Sequence, residues 1–463
     1  MRYLPHTDAD VARMLQAIGL PSIDALFGEM IPARLALGRK LDLPPALDEA
    51  TLAAHLAELA GKNVAVRPTV PGSGPLAFLG AGHHPHYVPA AVDMLLRRAE
   101  FYTSYTPYQP EIAQGTLQAI FEFQSIVCEL TGLDVANASM YDGASACAEA
   151  VLMARRITGR TRTLVTAGLH PEYLETCRTY LAALPGSVEV VPTTSAGATD
   201  VARLEAQLDA GDGDDVACLV VQTPSFHGVV EDLARLAACA RARGALVIAV
   251  TTDPLTWAVA EAPGRAGADI AVAEAIGLAL GASFGGPALG LFAAKAEHLR
   301  QMPGRLCGET VDKDGRRGYV LTLSTREQHI RRDKATSNIC TNTGLVSLAF
   351  TINMSLLGRR GFGELARLIY AKTRYLRAQS DRLAARGYAL AYPTAPHFSE
   401  LALRVPGGDA ALIATRAAER GVIPGVPLGR FDNAQRDLLL VSVCENHRRE
   451  DLDRLVAVLE EVA

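Results

Sequence analysis

Short, near-continuous apolar runs separated by helix-length stretches dominate the middle of the chain. The runs are Thr163–Thr166, Val188–Val191, Val216–Gln222, Ala245–Thr251, Ile270–Ala273 and Ala288–Ala293, with stretches such as Pro171–Leu184 and Leu233–Arg243 between them. Strands buried on both faces and joined through helices predict a largely parallel sheet in an α/β domain. Upstream, Leu117, Ile120, Phe121, Val127 and Leu130 fall at near-helical spacing and the pattern stops at Gly132, so Gln114–Leu130 is predicted as a helix. Residues 1–65 alternate helical patterns with proline breaks. These are Asp8–Leu20 capped by Thr7 or Asp8, a bend at Pro21, Ile23–Phe27, a break at Pro32, and Leu47–Ala60 closed by Gly61. They read as a helical N-terminal arm. Pro68–His86 is Gly- and Pro-rich, and Tyr102–Ile112, bracketing Pro107 and Pro110, is a second irregular, aromatic piece. Beyond two long helical segments, Leu345–Leu357 and Glu364–Arg386, the order is strand Ser399–Val405, helix Ala410–Arg420, strand Leu438–Val443, helix Glu450–Val462. The expected organisation is therefore an arm (1–65), a large α/β domain (66–343), and connecting helices with a small C-terminal α+β domain (344–463).

Composition narrows the function classes. A chain of 463 residues exceeds an ordinary domain length and excludes a single small binding module. With 49% hydrophobic and 21% charged residues, and 40 Gly and 25 Pro, it lies well short of the roughly 25–30% Gly plus Pro of low-complexity chains. The 45 Lys+Arg against 50 Asp+Glu leave a net charge of −5, which offers no footprint for a nucleic-acid backbone. No run of about 18 apolar residues is present, so no membrane span is expected. Pro5 and nearby acids argue against a secretory leader, and a cytoplasmic location is the expectation. The eight Cys (128, 147, 177, 218, 239, 307, 340, 444) include no Cys-x-x-Cys pair, so neither a structural zinc site nor a redox dithiol is expected.

In open α/β sheets ligands sit beyond the carboxyl ends of the strands. The loops there include Met140–Ala146, Thr166–His170, Gln222–Gly228, Thr252–Pro254 and Gly281–Gly286. The small residues Gly143-Ala144-Ser145-Ala146 leading into a helix suit either anion binding through backbone N–H groups or plain capping and close packing. Asp253, ending an apolar run with a Gly-rich stretch some thirty residues on, resembles the acid that holds the pyridinium nitrogen in pyridoxal-phosphate enzymes. Such chemistry also needs a lysine amine at one defined place. The chain has only Lys40, Lys62, Lys295, Lys313, Lys334 and Lys372, none of them between Asp253 and Ala294. Lys295 is the nearest, but its position after a strand suits a helix cap or solvent.

Several segments resemble one family closely. They are Tyr105-Thr106-Pro107-Tyr108-Gln109-Pro110-Glu111 with Gln114-Gly115, Ser139-Met140-Tyr141-Asp142-Gly143, Ser283-Phe284-Gly285-Gly286-Pro287, and the long stretch from Thr325 to Asn342. They are similar to subunit 1 of the split bacterial glycine decarboxylase, the P-protein of the glycine cleavage system, and the resemblance runs essentially from Met1 to the C-terminus. It implies a type I pyridoxal-phosphate-dependent transferase fold in a catalytically incomplete paralogue, with the imine lysine carried by a partner, subunit 2. It further implies that glycine is decarboxylated with pyridoxal phosphate as electron sink, bound covalently by the partner and not by this chain, and that the aminomethyl group passes to the lipoyl arm of the H-protein. An α2β2 assembly is the implied state, with this chain inactive alone.

For a chain contributing half of a partner's pocket, the proline-stiffened loop places Tyr105, Tyr108, Gln109 and Glu111 first among candidate cofactor contacts. The other reading is a turn whose tyrosines pack an interface. Ser337, Asn338, Thr341 and Asn342 form a second candidate group, suited to a phosphate or carboxylate, or else to capping a helix starting near Asn342. The basic run Arg326, His329, Arg331, Arg332 and Lys334 suits steering of an acidic lipoyl carrier, or salt bridges to the chain's own acids. His83, His84 and His86 lie in a Gly/Pro loop with no carboxylate or Cys nearby in sequence, so no metal site is expected. His170 and His227 each follow a strand and suit either the border of a degenerate cofactor pocket or, the reading preferred for both, a hydrogen-bonded structural role; Trp257 reads as core. Two other functions stay open at this level: a scaffolding or regulatory pseudoenzyme, and a stand-alone homodimer using Lys295.

Overall fold

The computed structural model describes residues 5–66, 74–103, 105–210, 215–281 and 283–463. Met1–Leu4, the 67–73 part of the Gly- and Pro-rich stretch, Ser104 in the aromatic loop, residues 211–214 and Ala282 lie outside the described residues. Two compact units divide the chain, Met1–Val64 and Ala65–Ala463.

The first unit holds α1 (Asp8–Ile18), α2 (Ile23–Met30) and α3 (Glu49–Ala60). Thr7 caps α1 in a reciprocal box with Asp10, while Ser22 and Asp48 cap α2 and α3 by accepting from backbone N–H groups. None of the three helices has a buried residue, and Ile18, Phe27, Met30 and Leu56 are exposed.

The second unit begins with β1 (Leu76–Ala77), α4 (Ala90–Leu96), α5 (Ala99–Tyr102) and α6 (Gln114–Thr131). It continues through β2 (Val135–Ala136), α7 (Gly143–Thr158), β3 (Arg162–Thr166), α8 (Pro171–Leu181), β4 (Val188–Val191), α9 (Val201–Leu208), β5 (Val216–Gln222), α10 (Leu233–Arg241), β6 (Leu246–Thr251), β7 (Ile270–Glu274) and β8 (Gly290–Ala294). These strands form a seven-stranded sheet in the order β2-β8-β7-β6-β5-β3-β4, in which only β8 runs against the others. Side chains alternate across it with the period of two that strands impose. Val165, Val220, Ile248 and Val272 pack with α7 and α8 on one face. Leu164, Leu219, Val221 and Val247 meet α9 and α10 on the other, and Ala271, Ala273 and Leu291 meet α6 and the long helix Gly344–Arg377 there. β5 is buried along its whole length, as expected of a strand covered on both faces.

A hairpin of β9 (Leu306–Val311) and β10 (Arg317–Thr322) follows, joined through Asp312–Arg316, with Gly315 at φ 78° in the turn. Its exposed outer half and charged turn carry no long apolar run, which is why the sequence pattern did not predict it. Then come α11 (Gln328–Arg331), α12 (Gly344–Arg377), kinked at Gly358 with φ 58°, and α13 (Ser380–Ala384). The last elements are β11 (Ala389–Leu390), β12 (Glu400–Arg404), α14 (Ala410–Ala418), β13 (Val422–Ile423), β14 (Val426–Pro427), β15 (Leu438–Ser442) and α15 (Arg449–Val462). β11, β12, β15 and β14 make an antiparallel sheet whose Leu401, Leu403, Leu439 and Val441 pack on Leu452, Leu455 and Leu459 of α15. β1 pairs in parallel with β13, so Leu76 and Phe78 join this C-terminal core although they lie early in the chain. The segment Gly80–His86 is thereby delivered to the carboxyl ends of the main sheet.

Candidate functional site

Beyond the carboxyl end of β6 lies Asp253, 3% exposed. Its Oδ1 accepts the Leu255 N–H at 3.0 Å and stands 3.3 Å from His86 Nε2, while His86 Nδ1 stands 3.0 Å from Glu445 Oε2. Burial alone would push the imidazole toward neutrality, but the two carboxylates outweigh it and raise His86 to about 10. Reciprocally, the imidazolium holds Asp253 and Glu445 below the usual carboxylate range against their burial. Next to this triad, His84 Nε2 lies 4.0 Å from Glu400 Oε2, and Glu400 Oε1 accepts the Ala81 N–H at 2.8 Å. The histidine loop therefore does have carboxylate company, contrary to the expectation from sequence. It comes from positions 253, 400 and 445, which only the fold brings near. With both ring nitrogens of His86 engaged, no lone pair is left for a metal, and among the described residues no group of three or more His, Cys, Asp or Glu is arranged to hold one.

The second feature is the N-terminus of α7, the small-residue segment that suited either an anion or capping. Asp142 caps it, accepting the Ser145 N–H at 2.6 Å. The Gly143 N–H donates to Glu274 Oε2 at 3.0 Å, and Glu274 Oε1 accepts from the N–H groups of Ile276 and Leu289 at 2.9 and 3.0 Å. Glu274 ends β7 as Asp253 follows β6, a strand-terminal acid that could have been singled out from sequence and was not. Burial pushes its carboxyl up to about 7. Gly143 is required here: a Cβ would lie 2.1 Å from the Tyr173 hydroxyl and 2.9 Å from the Glu274 nitrogen.

Between these features lies a cavity of about 790 Å³, lined among others by Ala81, His83, Asp142, His170, Tyr173 and Glu274, with no Lys or Arg among the described lining residues. His170 Nδ1 accepts the Glu172 N–H at 3.1 Å and its Nε2 meets the Ala81 carbonyl at 3.0 Å, while His227 Nε2 meets Gln435 Oε1 at 2.8 Å. Both are hydrogen-bonded within the fold, and His170 also borders the cavity. Pyridoxal phosphate needs a free acid for its ring nitrogen, a free anion cup and a lysine. Here the acid is taken by His86 and the cup by Glu274, so these residues do not fit the cofactor.

The lysines agree. Lys295 follows the antiparallel strand β8 and pairs with Asp269, which precedes β7; both sit at the amino ends of the parallel strands, across the sheet from Asp253. The homodimer built on Lys295 has no geometric basis in this chain. Lys372 approaches the Asp253 region, but its ammonium donates to the carbonyls of Glu445 and His447.

The aromatic loop and the basic segment, distant in sequence, meet. Tyr108 accepts a hydrogen bond from Arg305 Nη2 at 2.7 Å, with the guanidinium 5.1 Å from its ring centre. Arg305, 3% exposed, also donates to Thr106 at 3.3 Å and lies 3.6 Å from Glu327, which His329 approaches at 3.5 Å from outside. Arg305 was missed from sequence, its one signal being a lone charge between the apolar Met302-Pro303-Gly304 and Leu306-Cys307. Tyr105, Tyr108 and Gln109 line one open cavity of about 600 Å³. Tyr105 lines another of about 600 Å³ with Pro107, Thr341 and Asn342. Glu111, Ser337 and Asn338 line neither: Glu111 and Asn338 are exposed, and Ser337 Oγ accepts the Ile339 N–H at 3.1 Å. Asn342 does not cap α12, whose N-cap is Thr343; it donates to the Ala138 carbonyl at 3.2 Å. Of the basic run, Arg326 is buried and donates to the carbonyls of Met302 and Gly304, Arg331 donates to the Thr325 carbonyl, and Arg332 and Lys334 are exposed. Tyr105 is 80% and Phe284 94% exposed, large rings left in solvent beside the cavities.

This sheet order, with its single reversed strand and an acid beyond the sixth strand, defines the class: a type I pyridoxal-phosphate-dependent transferase fold. Remote structures share it at the level of fold, among them a C-DES variant with glycine covalently linked to the PLP cofactor (14% identity, TM-score 0.61, covering 84% of this chain and 97% of that one). The chain belongs to the glycine cleavage system P-protein family, whose model matches residues 1–459. It is 53% identical over 461 residues to a protein of Sorangium cellulosum named probable glycine dehydrogenase (decarboxylating) subunit 1, covering 99% of each. A Rhodospirillum centenum protein of the same name is 49% identical, covering 100% of both chains. A crystal structure of glycine decarboxylase (P-protein) of the glycine cleavage system in inhibitor-bound form matches with TM-score 0.86 and 41% identity over 100% of both chains. No described helix is long and apolar enough to cross a membrane.

Proposed function

We propose that this chain is the half of a two-chain glycine decarboxylase that lacks the imine lysine, working in the cytoplasm as part of an α2β2 assembly. Subunit 2 holds pyridoxal phosphate on its own lysine, and the aminomethyl product leaves on the lipoyl arm of the H-protein. The observation that carries this reading is a type I pocket with no lysine facing it and with its acid and its anion cup already engaged by the chain's own side chains. Chemistry through the cofactor therefore belongs to a second polypeptide.

This chain's part is to complete the partner's site. Tyr105, Tyr108, Gln109, Thr341 and Asn342, which line the two open cavities, are the contacts proposed to face it. Arg305 presents Tyr108, fixing its phenol through one hydrogen bond and a cation–π contact. Glu111, Ser337 and Asn338 remain candidates through the partner's surface rather than through these cavities. The exposed Arg332 and Lys334 suit steering of an acidic carrier.

The test is a glycine–bicarbonate exchange assay on this chain, on subunit 2, and on the two co-expressed. Exchange confined to the mixture is the expected outcome; exchange by this chain alone at the rate of the mixture refutes the reading. A scaffolding role is the second reading, favoured by the engaged pocket. It predicts a mixture indifferent to Tyr108→Phe and Asn342→Ala.

A further inference from the structure

The two ends of pyridoxal phosphate that a type I pocket must satisfy carry opposite charge: a protonated ring nitrogen facing an acid, and a phosphate at a helix N-terminus. In this chain both places are filled by its own residues. Asp253, beyond β6, faces the His86 ring at 3.3 Å, and Glu445 on the other ring nitrogen completes the pair. At the sixteen-residue α7, the Gly143 N–H is taken by the Glu274 carboxylate at 3.0 Å, with Ile276 and Leu289 N–H groups on its other oxygen.

The segment carrying His86 is seated as a fixed part of the pocket. Ala81 N–H donates to Glu400 at 2.8 Å and the Ala81 carbonyl meets His170 at 3.0 Å. A Cβ on Gly80 would lie 2.4 Å from Glu400 Oε1, and one on Gly82 would lie 3.0 Å from the His170 ring. Ala81, Gly82 and His83 line the 790 Å³ cavity while Asp253 does not, so this segment covers the acid from the cavity side.

We propose that the chain carries an internal surrogate of the cofactor, with His86 standing at Asp253 for the ring nitrogen and Glu274 standing at α7 for the phosphate, which closes its own pocket to phosphate-bearing ligands. The inference deepens, and rests on, the reading that the cofactor sits on the partner. It explains how a type I fold keeps a buried acid and a helix N-terminus without a ligand: Asp253 Oδ1 and the N–H groups of Gly143, Ile276 and Leu289 are paired within the chain, which removes their share of the desolvation cost and leaves Asp253 Oδ2 as the buried atom of this set without a partner. It also assigns the cavity a sign. With Asp142, Glu172 and Glu274 on its wall and no Lys or Arg among the described lining residues, an anion entering it meets carboxylates.

The experiment is equilibrium dialysis of the isolated chain against pyridoxal 5′-phosphate and, separately, inorganic sulfate. Wild type is expected to retain neither. Glu274→Gln, which removes the charge and keeps the shape, and Glu274→Ala, which frees the three N–H groups, are expected to raise affinity for both anions at least tenfold. Wild-type uptake of pyridoxal 5′-phosphate that sulfate competes away overturns the proposal without any variant, and so does a folded variant no better than wild type. Borohydride reduction of the loaded mixture with subunit 2, followed by peptide mapping, separates the two claims. Label missing from subunit 2 sinks the partner reading and the surrogate that rests on it, whereas cofactor retained by the isolated wild-type chain while subunit 2 is still labelled in the mixture sinks the surrogate alone.

Discussion

Replacing His86 with alanine leaves Asp253 and Glu445 buried with no positive partner, and the cost follows from the geometry. An imidazole carried from an ordinary 6.5 up to about 10 favours its charged form by about 5 kcal/mol, at roughly 1.4 kcal/mol for each tenfold change in proton affinity. Breaking a buried pair by removing one member typically costs about 3–5 kcal/mol, a consistent magnitude. His86 is 5% exposed, so solvent screening removes little of it. The sign is fixed by the direction of the shift. A histidine raised in the folded state contributes fully below 6.5, and its contribution is lost as pH climbs from there through about 10. The groups facing it from neighbouring elements are Asp253, Glu445, His84 and, through His84, Glu400.

Trp257, the single tryptophan, lies on the short turn Pro254–Ala258 that Asp253 caps, so its fluorescence reports on this corner. Urea unfolding followed through Trp257 should place His86→Ala about 3–5 kcal/mol below wild type at pH 6, with the gap shrinking toward about 1 kcal/mol as pH passes 10. His86→Gln, which keeps hydrogen bonding without charge, should fall close to His86→Ala at pH 6. A deficit under about 1 kcal/mol at pH 6, or one of equal size at pH 6 and above pH 10, refutes the ion-pair account and leaves only packing.

Three further changes separate the roles of neighbouring parts. Tyr108→Phe removes the acceptor of the Arg305 hydrogen bond and should lower exchange by the mixture about tenfold, the equivalent of about 1.4 kcal/mol, with co-elution of the two chains unchanged. Lys295→Ala, at the opposite end of the sheet from Asp253, should leave exchange by the mixture within about twofold of wild type while lowering the unfolding midpoint, since Asp269 then loses its cation. Gly143→Ala drives a methyl to within 2.1 Å of the Tyr173 hydroxyl; it should cost at least about 2 kcal/mol in urea unfolding, and wild-type stability would contradict the close approach at α7.

The inner strands of the main sheet were readable because burial on both faces leaves them near-continuous apolar runs, as in Val216–Gln222, while the edge strand Val188–Val191 kept enough apolar residues around Glu189 to fall where the pattern placed it. The hairpin β9–β10 was not readable, because its outer half is exposed and its turn is charged. The site divides the same way. The loop bearing Tyr105 and Tyr108 is recognisable from residues adjacent in sequence. By contrast, Arg305 beneath it, and the pairing of His86 with residues 167 and 359 positions away, depend on contacts that no local window contains. Asp253 and Glu274 were both accessible as acids ending apolar strands, yet their partners were not, and the partner decides whether such an acid serves a ligand or the fold.

That distinction bears on how a type I fold with no lysine on its pocket wall remains a stable subunit. Deleting the amine alone would leave a pocket whose acid and helix terminus had relied on ligand binding for part of the folded state's free energy, so the apo chain would be weaker by the linkage of binding to folding. His86 and Glu274 return that free energy intramolecularly and independently of ligand concentration. The compensation is unequal at its two ends. His86 is strongly charged where it sits, whereas Glu274 is held near 7 by burial, so near neutral pH the anion end carries the weaker substitute. For a carboxyl raised above its unfolded value, stability falls as pH rises from 4.5 to about 7 and stays at the lower level beyond, so this end is most comfortable when protonated or when a cation approaches. The α7 terminus, not Asp253, is therefore where a single substitution most readily reopens the pocket.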